Sequence, residues 1–346
     1  MPEPPIPPSP PDSPAGSDDA IEGATSAGKG LSRKRLPRKR LPRRAMLFYA
    51  VGQNAEGIQS AAFHTFLLFY YQQVIGVSGT LAGIALAFAM LADALTDPLA
   101  GSMSDRTQTR FGRRHPYIVG SIFPLAIAFV LLFNPPAALT ELGSFLWLLV
   151  FAVTTRVSLT FYQIPHLALG AELTDSAVRR SSLYNVAALF RMGGEGLVPL
   201  IAYVLFFPTT EQHNPGTLNG AGYFWFSIFF AGWMGAVILA SAMGTASRIP
   251  HLKQVTQHAG KTWYSGYREI IEALGNKSFR TLFFFIFAFG LITSVTGVVS
   301  PFMAFHFWGA DDRATRSYFI VWPRLPSSQR YWSFPGSPTA STSGRF

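Results

Sequence analysis

DALTDPLAGSMSDRTQTRFGRRHPYI, residues 93–118, decides how the rest of the chain is read. Its first half continues an apolar run that begins near residue 78, yet it carries Asp93 and Asp97 one helical turn apart. Its second half carries Arg106, Arg110, Arg113 and Arg114. Acids inside an apolar helix, closed off by a cluster of arginines, are the pattern of a membrane span with a polar interior and a basic cytoplasmic end.

The composition agrees. Of 346 residues 49% are hydrophobic and only 13% are charged, where a soluble domain carries about 25%. The mean hydropathy is +0.25. Lipid is therefore the expected solvent. The chain has 31 Phe and no Cys, which excludes disulfides and thiolate metal sites. Nine of the 28 basic residues lie between Lys29 and Arg44, in KGLSRKRLPRKRLPRR, with RKRLP nearly duplicated. The Pro-, Ser-, Gly- and Ala-rich stretch before it cannot bury enough apolar surface to fold and is expected to be disordered. It lacks the apolar region and cleavage site of a secretory signal. A polybasic arm beside a membrane span orients the protein or touches anionic lipid, so the expected partner is the bilayer and not a nucleic acid.

A span needs about 20 apolar residues. Seven stretches qualify, at 47–72, 78–103, 116–134, 143–172, 183–208, 221–247 and 279–307. The connectors alternate. QQVIGVSG, NPPAALTEL and PTTEQHNPGTLNG hold no Lys or Arg, whereas SDRTQTRFGRRH holds four Arg, TDSAVRRSS two, and the connector 248–278 five basic residues. By the positive-inside rule the N-terminus and the basic connectors face the cytoplasm. The expected organisation is a disordered tail at 1–45, a six-helix bundle at 46–247, a cytoplasmic loop at 248–278, a seventh helix at 279–307 and a low-complexity tail at 308–346. That tail carries Arg313, Arg316, Arg324, Arg330 and Arg345 on the side where basic residues are not expected. An interrupted reading frame near residue 310, leaving a truncated and inactive carrier, would account for it.

A charge at a helix centre costs roughly 2.5–3.5 kcal/mol on insertion scales, so each needs a reason. With the second span centred near Met90, Asp93 lies about 4 Å and Asp97 about 10 Å from the midplane, within a half-core of about 15 Å. Asp93, Asp97, Gly101 and Asp105 share one slowly turning face. Two carboxylates one turn apart resist ionising together, so the pair calls for a proton, a monovalent cation or a basic partner. Other buried charges are Glu56 in the first span, Arg156 in the fourth, and Arg191 with Glu195 in the fifth. All should converge on a polar cavity between those helices. Arg191 and Glu195, spaced i,i+4, are placed to pair; Arg156 is placed either to neutralise the aspartates or to meet a solute. The glycines at 193–196 and Gly232 with Gly235 suggest close helix packing. His64 reads as a hydrogen-bonded core residue, and the many Phe as lipid-facing. There is no metal-ligand spacing, no phosphate-cradling glycine loop and no nucleophile–base pair, so neither an enzyme nor a bound cofactor is expected.

GSMSDRTQTRFGRR (101–114), preceded by DALTDP, resembles the loop between spans two and three of major facilitator transporters. It is most similar to the glycoside–pentoside–hexuronide:cation symporter family; FYQIPHLALGAEL (161–173) is similar to that family's fourth span. The resemblance covers about residues 46 to 307. It implies an all-α polytopic fold: the N-terminal six-helix bundle of a twelve-span carrier plus about one helix of the second bundle. It also implies that Asp93 and Asp97 hold a coupling cation, sodium or a proton. The family's acid on span one would fall at Gly57, beside Glu56. Its sugar-binding aspartate on span four falls at Gln163, with Thr160 matching, and its span-five arginine falls near Ala188, one turn before Arg191. The solute side is thus expected at Glu56, Arg156, Thr160, Gln163 and Arg191. Gly101, Asp105, Arg106, Gly112, Arg113 and Arg114 are expected to form a cytoplasmic gate whose charge pairs make and break. The implied function is cation-coupled symport of a small solute, expected to be a sugar, across the plasma membrane, with no obligatory protein partner. Alternatives are a facilitator for another solute such as a lysolipid, and a membrane remnant that does not transport.

Overall fold

The computed structural model describes residues 42–249, apart from 175 and 214, together with residues 272–306. The expectations for the N-terminal arm, for most of the 248–278 connector and for the tail after 306 lie outside the described residues. Those that are described form helices and their connectors, with no strand among them.

The first span is the most broken. Helices α1 (Arg43–Gly52) and α2 (Asn54–Ala61) meet at Gln53 and continue through wide π-helical turns at Ala62–Leu67 and Tyr70–Ile75. It is rich in amides and hydroxyls, and these give it less hydropathy than the other spans. The second span is α3 (Gly79–Arg106). The third is interrupted at Ser121 into α4 (His115–Gly120) and α5 (Ile122–Leu132). Then come α6 (Glu141–Leu173), α7 (Ala177–Ile201) running into a π-helical turn at Ala202–Phe206, α8 (Gly220–Ala246) and α9 (Lys277–His306). Six of these spans are long and apolar enough to cross a bilayer. The chain is an integral, multi-pass membrane protein.

Local chemistry starts these helices where they start. Ser78, Thr140 and Asn219 each accept a hydrogen bond from a backbone N–H of the first turn, at 3.5, 3.2 and 3.1 Å, satisfying donors a helix end leaves unpaired. The Ser78 N–H also donates to Glu141 at 3.0 Å, tying the starts of α3 and α6 together.

Packing follows from side-chain size. The buried face of α3 is Ala82, Ala85, Ala89, Ala100 and Ser104, a small-residue stripe that lets α6 approach closely. Helix α6 also packs on α5, while α1 and α2 pack on α7 and α8. The phenylalanines depart from expectation. Phe66, Phe129, Phe133, Phe207, Phe226 and Phe230 are fully buried together with Tyr203 and Tyr223, in ring contacts such as Phe66–Phe226 at 5.1 Å and Tyr70–Tyr223 at 4.1 Å. They fill the end of the bundle opposite the arginines. Rings exclude voids there that lipid chains would otherwise have to fill. The lipid-facing reading holds for others, among them Phe123, Phe284 and Phe285. The glycine expectation also divides. Gly194 lies against Asn54 and Gly235 against Ile122, whereas Gly193 and Gly232 have no neighbouring group.

Helix α9 touches the bundle chiefly at the π-helical turn Ala62–Leu67, and its apolar stretch Lys277–Thr296 is entirely unburied.

Candidate functional site

Asp93 continues the alanine stripe of α3, so it faces α6 and not lipid. Both of its oxygens are occupied. Arg156 donates from one terminal nitrogen to Oδ2 at 3.1 Å, and the Thr160 hydroxyl donates to Oδ1 at 2.5 Å. Arg156 and Thr160 lie one turn apart on α6 and so present one face. Asp97, one turn along α3, has Asp93, Thr160 and Arg156 as its electrostatic neighbours and stands on the open side of the helix. Thr160 and Arg156, grouped in the sequence with the solute residues, therefore stand with the two aspartates.

Glu56 on α2 faces a second group. Gln163 lies beside its carboxylate, and Arg191, Glu195 and Arg156 are its electrostatic neighbours. Arg191 reaches Glu195 at 3.5 Å along α7. The fold dictates why Glu56 stands at this level. Gly57 lies directly against the backbone of α7, where a Cβ would meet the carbonyl oxygen of Arg191 and the amide of Glu195. Position 57, to which the resemblance assigned an acid, has no room for one. The four helices that carry buried charges thus converge, and Arg156 neighbours both groups.

At the arginine-bearing end, Arg114 is buried and forked. Its Nε and Nη2 engage Glu172 at 3.0 and 2.9 Å, Nη2 also reaches Asp105 at 2.6 Å, and Nη1 donates to Ser104 at 3.0 Å. Arg113 meets the same Glu172 oxygen at 2.5 Å. Gly112 holds a left-handed turn, φ +79, and so aims both arginines back at α6. Gly101 packs on Ile164, and Arg106 closes α3. Glu172 was missed from sequence, although it sits inside the very GAEL stretch that carried the resemblance; nothing in the linear order says that two arginines nearly sixty positions earlier return to it.

A separate polar chain runs behind this face. The Gln53 amide meets His166 Nδ1 at 3.1 Å, and His166 Nε2 meets Ser241 at 3.1 Å. Thr245 donates to the Ser241 carbonyl at 2.7 Å and meets His115 at 3.1 Å. Tyr49 stacks on His166 at 4.2 Å. His64, by contrast, has a Ser60 contact at 3.4 Å in its own helix.

Comparison with known proteins adds an independent line. Residues 48–322 match the family described as MFS/sugar transport protein. The chain is 30% identical over 181 residues to an uncharacterized symporter of Synechocystis sp., covering 50% of this chain and 33% of that one. It is 27% identical over 171 residues to the isoprimeverose transporter of Lactiplantibacillus pentosus, 48% and 36% respectively. It is 31% identical over 156 residues to a sodium-dependent lysophosphatidylcholine symporter of Danio rerio, 45% and 29%. The chain spans about a third of the length of the curated relatives it matches.

Proposed function

Because the chain belongs to the MFS/sugar transport protein family, within the glycoside–pentoside–hexuronide:cation symporters, we propose that it serves cation-coupled symport of a sugar or glycoside. Asp93 and Asp97 are the cation side, taking sodium or a proton. Glu56, Gln163 and Arg191 are the solute side, where carboxylate, amide and guanidinium offer the acceptors and donors that hydroxyl groups need. The observation that carries this reading is the placement of Asp93. It is a carboxylate inside an apolar helix, oriented by Thr160 and Arg156, with a second carboxylate one turn away. Such a pair gains stability from each positive charge that reaches it.

In a symporter of this type the bundle rocks against an opposing one around a midplane site. The arginine-bearing end then faces the cytoplasm of a plasma membrane, by the positive-inside rule. There Arg113 and Arg114 hold Glu172 and Asp105 and close the mouth between α3, α4 and α6. Opening it requires exchanging these ion pairs for water.

Calorimetric titration of the chain in lipid nanodiscs tests the cation side. Sodium, or protons taken up from a weak buffer on addition of acid, should bind to the wild type and not to Asp93→Asn. Identical binding by both forms would refute the assignment. Equilibrium binding of a labelled glycoside, stronger in sodium than in choline, tests the solute side. A second reading is supported by the match to the lysophosphatidylcholine symporter: an amphiphile whose cationic headgroup meets Glu56 and Glu195. Displacement of bound glycoside by lysophosphatidylcholine, or its failure, separates the two.

A further inference from the structure

Arg156 sits where a mobile cation would. Its terminal nitrogen is 3.1 Å from Asp93 Oδ2, and its guanidinium lies over the Phe63 ring at 5.0 Å. Its Nε is buried with no hydrogen-bond partner among the described residues. Arginines held for structure are usually forked onto their acceptors, as Arg114 is here through three of its nitrogens. Arg156 makes one hydrogen bond with a fork able to make five. It is held by charge and by an aromatic face, both of which tolerate reorientation. A second acid lies within its electrostatic reach, Glu56 on the opposite side.

The charge inventory gives this geometry a consequence. Around the cleft stand four carboxylates, Glu56, Asp93, Asp97 and Glu195, and two guanidiniums, Arg156 and Arg191. Arg191 is turned to Glu195. Among the described residues Arg156 is therefore the positive charge available to the aspartate pair. Where it rests on Asp93, the pair needs one cation fewer, and any cation that seeks both aspartates must first move it.

We propose that Arg156 is a tethered cation that competes with the mobile one for Asp93. The guanidinium and the mobile ion hold the same carboxylate in turn. When the ion enters between Asp93 and Asp97, the guanidinium is released toward Glu56, on the solute side. Ion entry thus changes what the solute meets. No bond is made or broken in the exchange, and the Thr160 hydroxyl keeps its hold on Asp93 Oδ1 throughout.

The inference rests on the reading of Asp93 and Asp97 as the cation side, and the test separates the two. Infrared difference spectra of the chain in lipid report its carboxylate bands. They are titrated with sodium chloride against choline chloride, and separately with acid. The Asp93 contribution is the part lost in Asp93→Asn. In Arg156→Gln the half-saturating concentration of the effective cation should fall by about tenfold or more, since the competitor is gone. Arg156→Lys, which keeps the charge without the fork, should lie between, and it carries the test should the glutamine variant not fold. A guanidinium band should shift with the carboxylate bands in the wild type, and that shift should be missing from Arg156→Gln. Equal or weaker cation binding in both variants than in the wild type would overturn the tethered-cation role while leaving the aspartates' role standing. No Asp93-dependent response of the wild type to either cation would overturn both.

Discussion

Two single side chains show how sharply position decides cost. Gly57 touches the α7 backbone, so Gly57→Ala must push two helices apart or misplace Glu56. Overpacking of this kind costs typically 1–3 kcal/mol, and we expect a lower unfolding temperature in lipid with loss of glycoside binding. Glu172 is 11% exposed and shared by two arginines, whereas Asp105 is 56% exposed. Glu172→Gln leaves Arg114 buried and under-compensated, a loss of about 3 kcal/mol or more. Asp105→Asn removes a pair that water already screens, worth under about 1 kcal/mol. Hydrogen exchange across residues 104–118 should rise steeply in the first variant and barely in the second. The sequence made Asp93, Asp97, Glu56 and Arg156 legible, because a charge in an apolar run is conspicuous wherever it falls. Glu172 and Gly57 were not, because an acid at a helix end and a glycine are both unremarkable until the neighbour is known.

Among helices, hydropathy placed the spans well and their irregularities poorly. Periodicity reports which residues are apolar, and it is blind to a backbone that widens at Ala62–Leu67 or breaks at Gln53 and Ser121. The Gln53 break has a visible partner. Its amide is held by His166 of α6, which Ser241 of α8 holds from the other side. Three spans are joined through one buried imidazole. His166→Leu fills the space without the two hydrogen bonds and strands an amide and a hydroxyl, each costing about 1–3 kcal/mol when left unpaired in the interior. The expected outcome is a lower unfolding temperature in His166→Leu that His166→Gln, able to donate and accept, partly restores. Nothing in the linear order marks His166, a lone histidine beside a proline, as the piece that spans this gap.

For the molecule as a whole, the alternation of basic and neutral connectors predicts a sidedness that can be measured directly. The chain has no cysteine, so a single cysteine introduced at Thr109 or at Glu211 is the only thiol present. In sealed spheroplasts an impermeant maleimide should reach position 211 and not 109, and in inverted vesicles the reverse. The charge asymmetry runs with a second one, in what holds the two ends together. One end is locked by interleaved rings, a contact among carbon atoms that dissolved ions leave alone. The other is fastened by arginines and acids, open to counterions at Asp105 and shielded from them at Glu172. Stiffness is therefore unequal along the bundle axis: a welded crown and an unlatchable base. Loss of the Glu172 carboxylate should free the base while the crown keeps its shape, making the bundle a lever whose fulcrum lies among the aromatics.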